Sequence, residues 1–312
     1  MNTHYLLLAV VLGAIGCSAS TVKTSETNGV VATTLALAEP TRIRTNGVEL
    51  HYVEQGSGDP IVFVHGGLMD YREWAPVATG LADKYRALTY SRRYNYPNDN
   101  PLDTRDHSAL VEAEDLAALI DARKLGPAHI VGVSYGGLTA LHLALKHPEL
   151  VRSLVVVEPP LIGWLPRLPG GAKIAAAFID GLWKPAGEAF HKGDAEEALR
   201  VTLNYFIAPG AIDQLPQSVR TMLTGNVREW EALTTSGNAF PLIAQEDVRR
   251  LRVPVLVITG ERGLEIARLT DPELARLLPM GKHLVIPGGT HDVCSEQPAV
   301  CAESVRRFIS NQ

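Results

Sequence analysis

Gly132-Val133-Ser134-Tyr135-Gly136 is the stretch on which the reading of this chain turns. It follows Ala128-His129-Ile130-Val131, a short apolar run with strand character. It precedes Leu138 to Lys146, which reads as a helix. A strand, a tight turn and a helix form the setting that a nucleophile elbow requires. In such a turn, side chains beside the serine would collide with the neighbouring strand or helix. Glycine at 132 and 136 removes the collision, and Gly137 leaves room for close helix packing. The spacing places Ser134 at the tip of a strained turn above a sheet, as a candidate nucleophile.

On both sides of the elbow the chain alternates strands with helices. Arg42 to Arg44 and Val48 to Glu54 flank Asn46-Gly47, a hairpin signal. Ile61 to Val64 is a continuous apolar run suited to a buried strand and ends in His65-Gly66-Gly67. A helix is predicted over Trp74 to Asp83, a strand over Ala87 to Tyr90 and a helix over His107 to Lys124. Val151 to Val157 reads as a strand ending at Glu158-Pro159-Pro160. Residues 161–246 break the alternation with helix-like segments such as Ala172 to Leu182 and Ala195 to Phe206, and read as an inserted helical cap. The strand pattern resumes at Val255 to Thr259. Leu264 to Leu278 reads as a helix, His283 to Ile286 as the last strand and Ala299 to Ile309 as a closing helix. The expected fold class is α/β, a mostly parallel sheet flanked by helices. The core would comprise residues 41–160 and 247–312. His65, Ser134, Glu158, Glu261 and His291 all follow strands, and ligands bind beyond the carboxyl ends of such strands.

The 312 residues suffice for one large domain, or one domain with an insertion. A net charge of −5 and a pI near 6.1 give no electrostatic case for nucleic-acid binding. Tyr5 to Ile15 is apolar but too short to span a bilayer, and suits a signal-peptide core. Gly16-Cys17-Ser18 resembles a bacterial lipoprotein site, which implies a lipid anchor at Cys17. Residues 1–17 are therefore expected to be a signal, and 18–40, rich in Thr, Ser and Ala, a flexible linker. The protein is expected to be exported, either periplasmic or membrane-anchored. Plain cleavage, an uncleaved anchor and a cytoplasmic location stay open. In an exported protein Cys294 and Cys301 are expected to pair as a disulfide. Their spacing gives no metal site.

From Arg42 to Ile309 the chain resembles the α/β-hydrolase family. The resemblance rests on His65-Gly66-Gly67, on Gly132-Val133-Ser134-Tyr135-Gly136, on the cap-like insertion and on Gly288-Gly289-Thr290-His291, in that order. The family's usual Asp-x-Arg-Gly segment is replaced by Ser91-Arg92-Arg93-Tyr94. The resemblance implies His291 as the base that activates Ser134. The backbone N–H groups of Gly67 and Tyr135 would form the oxyanion hole. His65 would brace its loop. Dehalogenases and epoxide hydrolases of this fold attack with an aspartate at the elbow, and Ser134 argues against both.

The implied chemistry is acyl transfer on a small-molecule substrate, with no metal or organic cofactor. The main reading is hydrolysis of a small or medium hydrophobic carboxylic ester through an acyl-enzyme on Ser134. Cleavage of a β-diketone C–C bond and a non-catalytic binding role stay open. Substrate choice would lie with cap aromatics, two or three from Trp164, Phe178, Trp183, Phe190, Tyr205, Phe206, Trp230 and Phe240. The oligomeric state is not legible.

The triad acid departs from the family pattern. It usually closes a Gly-x-x-Asp segment after the seventh strand, which here is Gly260-Glu261-Arg262-Gly263. Glu261 stands too early in the turn and Glu265 two residues late. Glu158 ends the strand beside the one that carries Ser134, and haloalkane dehalogenases can place their acid there. The expected acid is Glu158, with Glu261 and Glu265 as alternatives.

Overall fold

The structure is a computed structural model that describes residues 39–312. The expected signal, the Cys17 anchor and nearly all of the linker lie outside the described residues. Among those described, no helix is long and apolar enough to cross a membrane.

The first half of the chain gives β1 (Thr41–Thr45), β2 (Val48–Gln55), β3 (Asp59–Val64), α1 (Ala75–Thr79), β4 (Tyr85–Tyr90), α2 (Ala109–Arg123), β5 (Ala128–Val133), α3 (Ser134–Lys146) and β6 (Val151–Val157). The insertion follows, with α4 (Gly171–Phe178), α5 (Lys184–His191), α6 (Ala195–Phe206), α7 (Ala211–Gln214), α8 (Gln217–Gly225) and α9 (Val227–Thr234). Then come α10 (Gln245–Arg250), β7 (Val255–Gly260), α11 (Glu265–Leu277), β8 (Gly281–Ile286), α12 (Val293–Glu296) and α13 (Pro298–Ile309). Helix α10 straddles the expected 246/247 boundary. Helix α1 is half the expected length, since the chain already turns at Gly80 toward β4. Helix α3 begins at Ser134, four residues earlier than its apolar pattern suggests.

The eight strands form one sheet in the order β1-β2-β4-β3-β5-β6-β7-β8. Pairings from β4 to β8 are parallel, and only β1–β2 and β2–β4 are antiparallel. Asn46 and Gly47 both have positive φ, as the two-residue hairpin between β1 and β2 demands. The central strands are buried on both faces, which explains their unbroken Val, Ile and Leu runs. One face packs on α1 and α13 through Trp74, Val77, Val305 and Phe308; the other packs on α2, α3 and α11 and continues into the insertion.

Chain order places the site. β3 is the first parallel strand; β4 is laid on one side of it and β5 on the other. A crevice opens where the winding reverses, at the carboxyl ends of β3 and β5. Val64 pairs in register with Gly132, so His65-Gly66-Gly67 and Ser134 emerge side by side.

Candidate active site

Ser134 adopts φ +50°, the left-handed region that ordinarily favours glycine. Such strain persists only where the surroundings enforce it. A Cβ on Gly132 would overlap the Gly136 carbonyl, and a Cβ on Gly136 would overlap the carbonyls of Val64 and His65. The two flanking glycines are therefore required by contact with backbone, as the sequence suggested.

Ser134, Gly67, Tyr135, Glu158 and His291 all line one cavity of about 180 Å³. His291 Nδ1 lies 2.7 Å from Glu158 Oε2. Glu158 is buried and itself sits at φ +47°. The Gly260 N–H donates to its Oε1 at 2.9 Å, and the Leu264 N–H donates to its Oε2 at 3.1 Å. The carboxylate is thus clamped on β7's outgoing loop while its backbone belongs to β6. Of the alternatives, Glu261 accepts the Gly288 N–H at 2.7 Å and steadies the loop before His291. Glu265 opens α11 as an exposed residue, 4.0 Å from Arg268. Neither is placed against His291.

Burial alone would lower the pKa of His291. The hydrogen bond and charge of Glu158, helped by Asp292 and Glu73, more than offset it, so the net shift is upward. With Glu158 on Nδ1, the Nε2 face is left for the cavity.

The loop that carries Gly67 is braced from behind. His65 Nδ1 lies 2.8 Å from the Gly66 carbonyl, and His65 Nε2 accepts the Arg92 N–H at 2.9 Å. Burial, reinforced by the Arg92 charge, holds the His65 pKa down at about 3, so the ring is neutral at physiological pH. The fully buried Arg92 guanidinium donates to the His65 and Gly66 carbonyls and pairs with Glu112 of α2 and Glu229 of α9. Glu229 also accepts the N–H of Leu68, a residue at φ +59°. The indole of Trp230 covers Gly67 so closely that a Cβ there would come within 2.9 Å of it. Tyr135 both lines the cavity and latches the insertion, donating its hydroxyl to the Ala239 carbonyl at 2.7 Å.

Four aromatics of the expected set line the cavity, rather than two or three: Phe178, Phe206, Trp230 and Phe240. Phe206 lies parallel to the His291 ring with centroids 6.5 Å apart. Trp164, Phe190 and Trp183 pack within the insertion.

Two acids were not singled out from the sequence. Glu73 lines the cavity, and its Oε2 accepts the Gly66 N–H at 2.7 Å. Burial raises its pKa to about 8; the Gly66 N–H, His291 and Arg92 oppose the shift, and the charge of Asp292 adds to it. Asp292, also on the cavity wall, is raised by burial as well. Among the described residues no lysine or arginine lines the cavity. Among the described residues no cluster of His, Cys, Asp or Glu is arranged to hold a metal ion. Next to the site, Cys294 and Cys301 are joined as a disulfide that ties α12 to α13.

The model of the alpha/beta hydrolase family matches residues 61–304. The chain belongs to the alpha/beta hydrolase family. Relatives of this chain differ in chemistry. A 2-(acetamidomethylene)succinate hydrolase of Mesorhizobium japonicum is 26% identical over 274 residues, covering 86% of this chain and 94% of the relative. A soluble epoxide hydrolase of a Corynebacterium species is 25% identical over 278 residues, covering 85% and 95%. A solved thermophilic esterase from Thermogutta terrifontis superposes with a TM-score of 0.66 over 88% of this chain and 99% of its own, at 21% identity. That last likeness speaks to the fold.

Proposed function

We propose that this hydrolase is a serine esterase that cleaves hydrophobic carboxylic esters through an acyl-enzyme on Ser134. The observation that carries the reading is the 2.7 Å contact of His291 Nδ1 with a backbone-clamped Glu158, on the wall of the cavity into which the strained Ser134 opens.

Ser134 Oγ attacks the ester carbonyl and passes its proton to His291 Nε2. Glu158 fixes the tautomer of His291 and stabilises the imidazolium. The oxyanion is held by the N–H groups of Gly67 and Tyr135. The leaving alcohol takes the proton from His291. Water, deprotonated by the same imidazole, then releases the carboxylic acid and restores Ser134. Relatives that act on epoxides do not redirect this reading, because the implied nucleophile there is an aspartate and here it is serine. The apolar lining favours a neutral ester. Among the described residues no lysine or arginine stands on the wall to pair with an anionic group near the reacting carbon, which weighs against carboxylate-bearing diketones.

The test is labelling by a fluorophosphonate together with turnover of short p-nitrophenyl esters. Labelling at Ser134, and loss of both signals in Ser134→Ala, is expected. Ester turnover that survives Ser134→Ala would overturn the reading.

A further inference from the structure

The insertion carries a second hollow, open to solvent at one side, of about 150 Å³. Leu199 and Leu203 of α6, Ile212 of α7 and Leu223 of α8 wall it, while Glu196 and Arg220 stand at its polar, solvent-facing rim. Leu203 and Leu223 also line the catalytic cavity. Two leucine side chains therefore divide one space from the other.

Behind the rim its wall is leucine and isoleucine, and an apolar space of about 150 Å³ takes a guest of about six carbons. Direction also matters. The leaving group must lie against His291, which Phe206 faces from the carboxyl end of α6. Leu199 stands seven residues back along that helix, about 10 Å away along its axis at 1.5 Å per residue. The second hollow is thus reached past Leu203, back along α6 from the Phe206 ring that faces His291.

We propose that the two hollows form one acyl channel, and that the substrate is an ester of a medium- to long-chain aliphatic acid whose chain passes between Leu203 and Leu223. This rests on the serine-esterase reading of the same site. Carbons beyond the inner cavity gain apolar contact with Leu199, Ile212 and Leu223.

The test is a series of p-nitrophenyl esters from acetate to dodecanoate. In the wild-type protein kcat/KM is expected to rise roughly two- to fourfold for each methylene that enters the channel, through octanoate or decanoate. Ile212→Trp, which fills the outer hollow, should lower the decanoate-to-acetate ratio by at least about tenfold. Leu223→Ala, which opens the divider, should raise it. Melting curves establish that both variants are folded. The Kd of Ser134→Ala protein for the same esters reads chain binding without chemistry. If no ester is turned over yet Kd tightens with chain length, the channel stands and the esterase reading falls. A wild-type profile that peaks at acetate or butyrate, with Kd flat along the series, would overturn the channel.

Discussion

Gly263 and the Glu158 carboxylate compete for one space: a Cβ on Gly263 would overlap Glu158 Oε1. Position 263 is where a Gly-x-x-Asp segment would bring an acid to His291. Here a carboxylate reaches His291 from the end of the neighbouring strand instead, and the position it displaced holds the one residue without a side chain. The missing aspartate and the buried Glu158 are two views of a single relocation.

That relocation is testable on its own. Gly263→Ala should push the Glu158 carboxylate off His291, because the Gly260 and Leu264 N–H groups leave it nowhere to swing. Misplacement by an ångström costs about 100-fold in rate, and kcat for a short ester should fall by about that much in folded protein. Glu158→Ala combined with Gly263→Asp should recover part of what Glu158→Ala alone loses. A Gly263→Ala protein with wild-type kcat would refute the shared-space account.

Activity should fall at both ends of the pH range. His291 accepts a proton only when neutral, and its pKa lies above the ordinary 6.5. The acid limb of kcat/KM should accordingly lie above pH 6.5, with activity lost as pH falls through it. Glu73, faced by Asp292, His291 and Arg92, stays protonated up to about pH 8. Its ionisation sets a negative charge beside the developing oxyanion, so a second decline is expected above that pH. Rate profiles of wild type and Glu73→Gln check this; an alkaline decline unchanged in the variant would exclude Glu73 as its source.

The Arg92–Glu229 pair joins the insertion to the oxyanion loop. Glu229→Ala removes one partner of a fully buried guanidinium and the acceptor of the Leu68 N–H. Losing one member of a buried pair costs about 3–5 kcal/mol. Denaturant unfolding should show a loss of that order. A change below about 1 kcal/mol, the scale of an exposed pair, would mean that the pair is not the clamp described.

The Cys294–Cys301 bridge closes a loop of sequence separation 7. Loop-closure entropy for so short a loop is worth about 2 kcal/mol. Unfolding with and without reductant should differ by that amount, and identical curves would argue against the bridge in solution.

Much of this was legible in the sequence because it depends on local contact. Gly132 is set by the Gly136 backbone four residues away, and β3, β6 and β7 announce themselves as apolar runs because both of their faces are covered. His65 could be expected as a brace because His65-Gly66-Gly67 resembles the family's loop, in which the histidine has that role. What escaped notice depends on distance in sequence. Glu73 reads as one more acid in a polar turn, and only the path from β3 into α1 brings it back to Gly66. Glu229 lies 161 residues from the Leu68 N–H that it accepts, and no local pattern marks it. Which cap aromatics reach the cavity follows from how α4, α6 and α9 rotate against one another, which their amphipathic patterns leave open. Gly263 was visible as an absence, and its meaning needed the position of Glu158.

The central claim is that Glu158 is the acid of a Ser134–His291–Glu158 triad, and kcat of Glu158→Gln for a short p-nitrophenyl ester tests it most directly. Removing a triad acid costs about 10⁴-fold, so Glu158→Gln should be nearly inactive while remaining folded, whereas Glu261→Gln and Glu265→Gln should retain most of their turnover. Near-normal kcat in folded Glu158→Gln, or a collapse in either of the other two instead, would contradict the account.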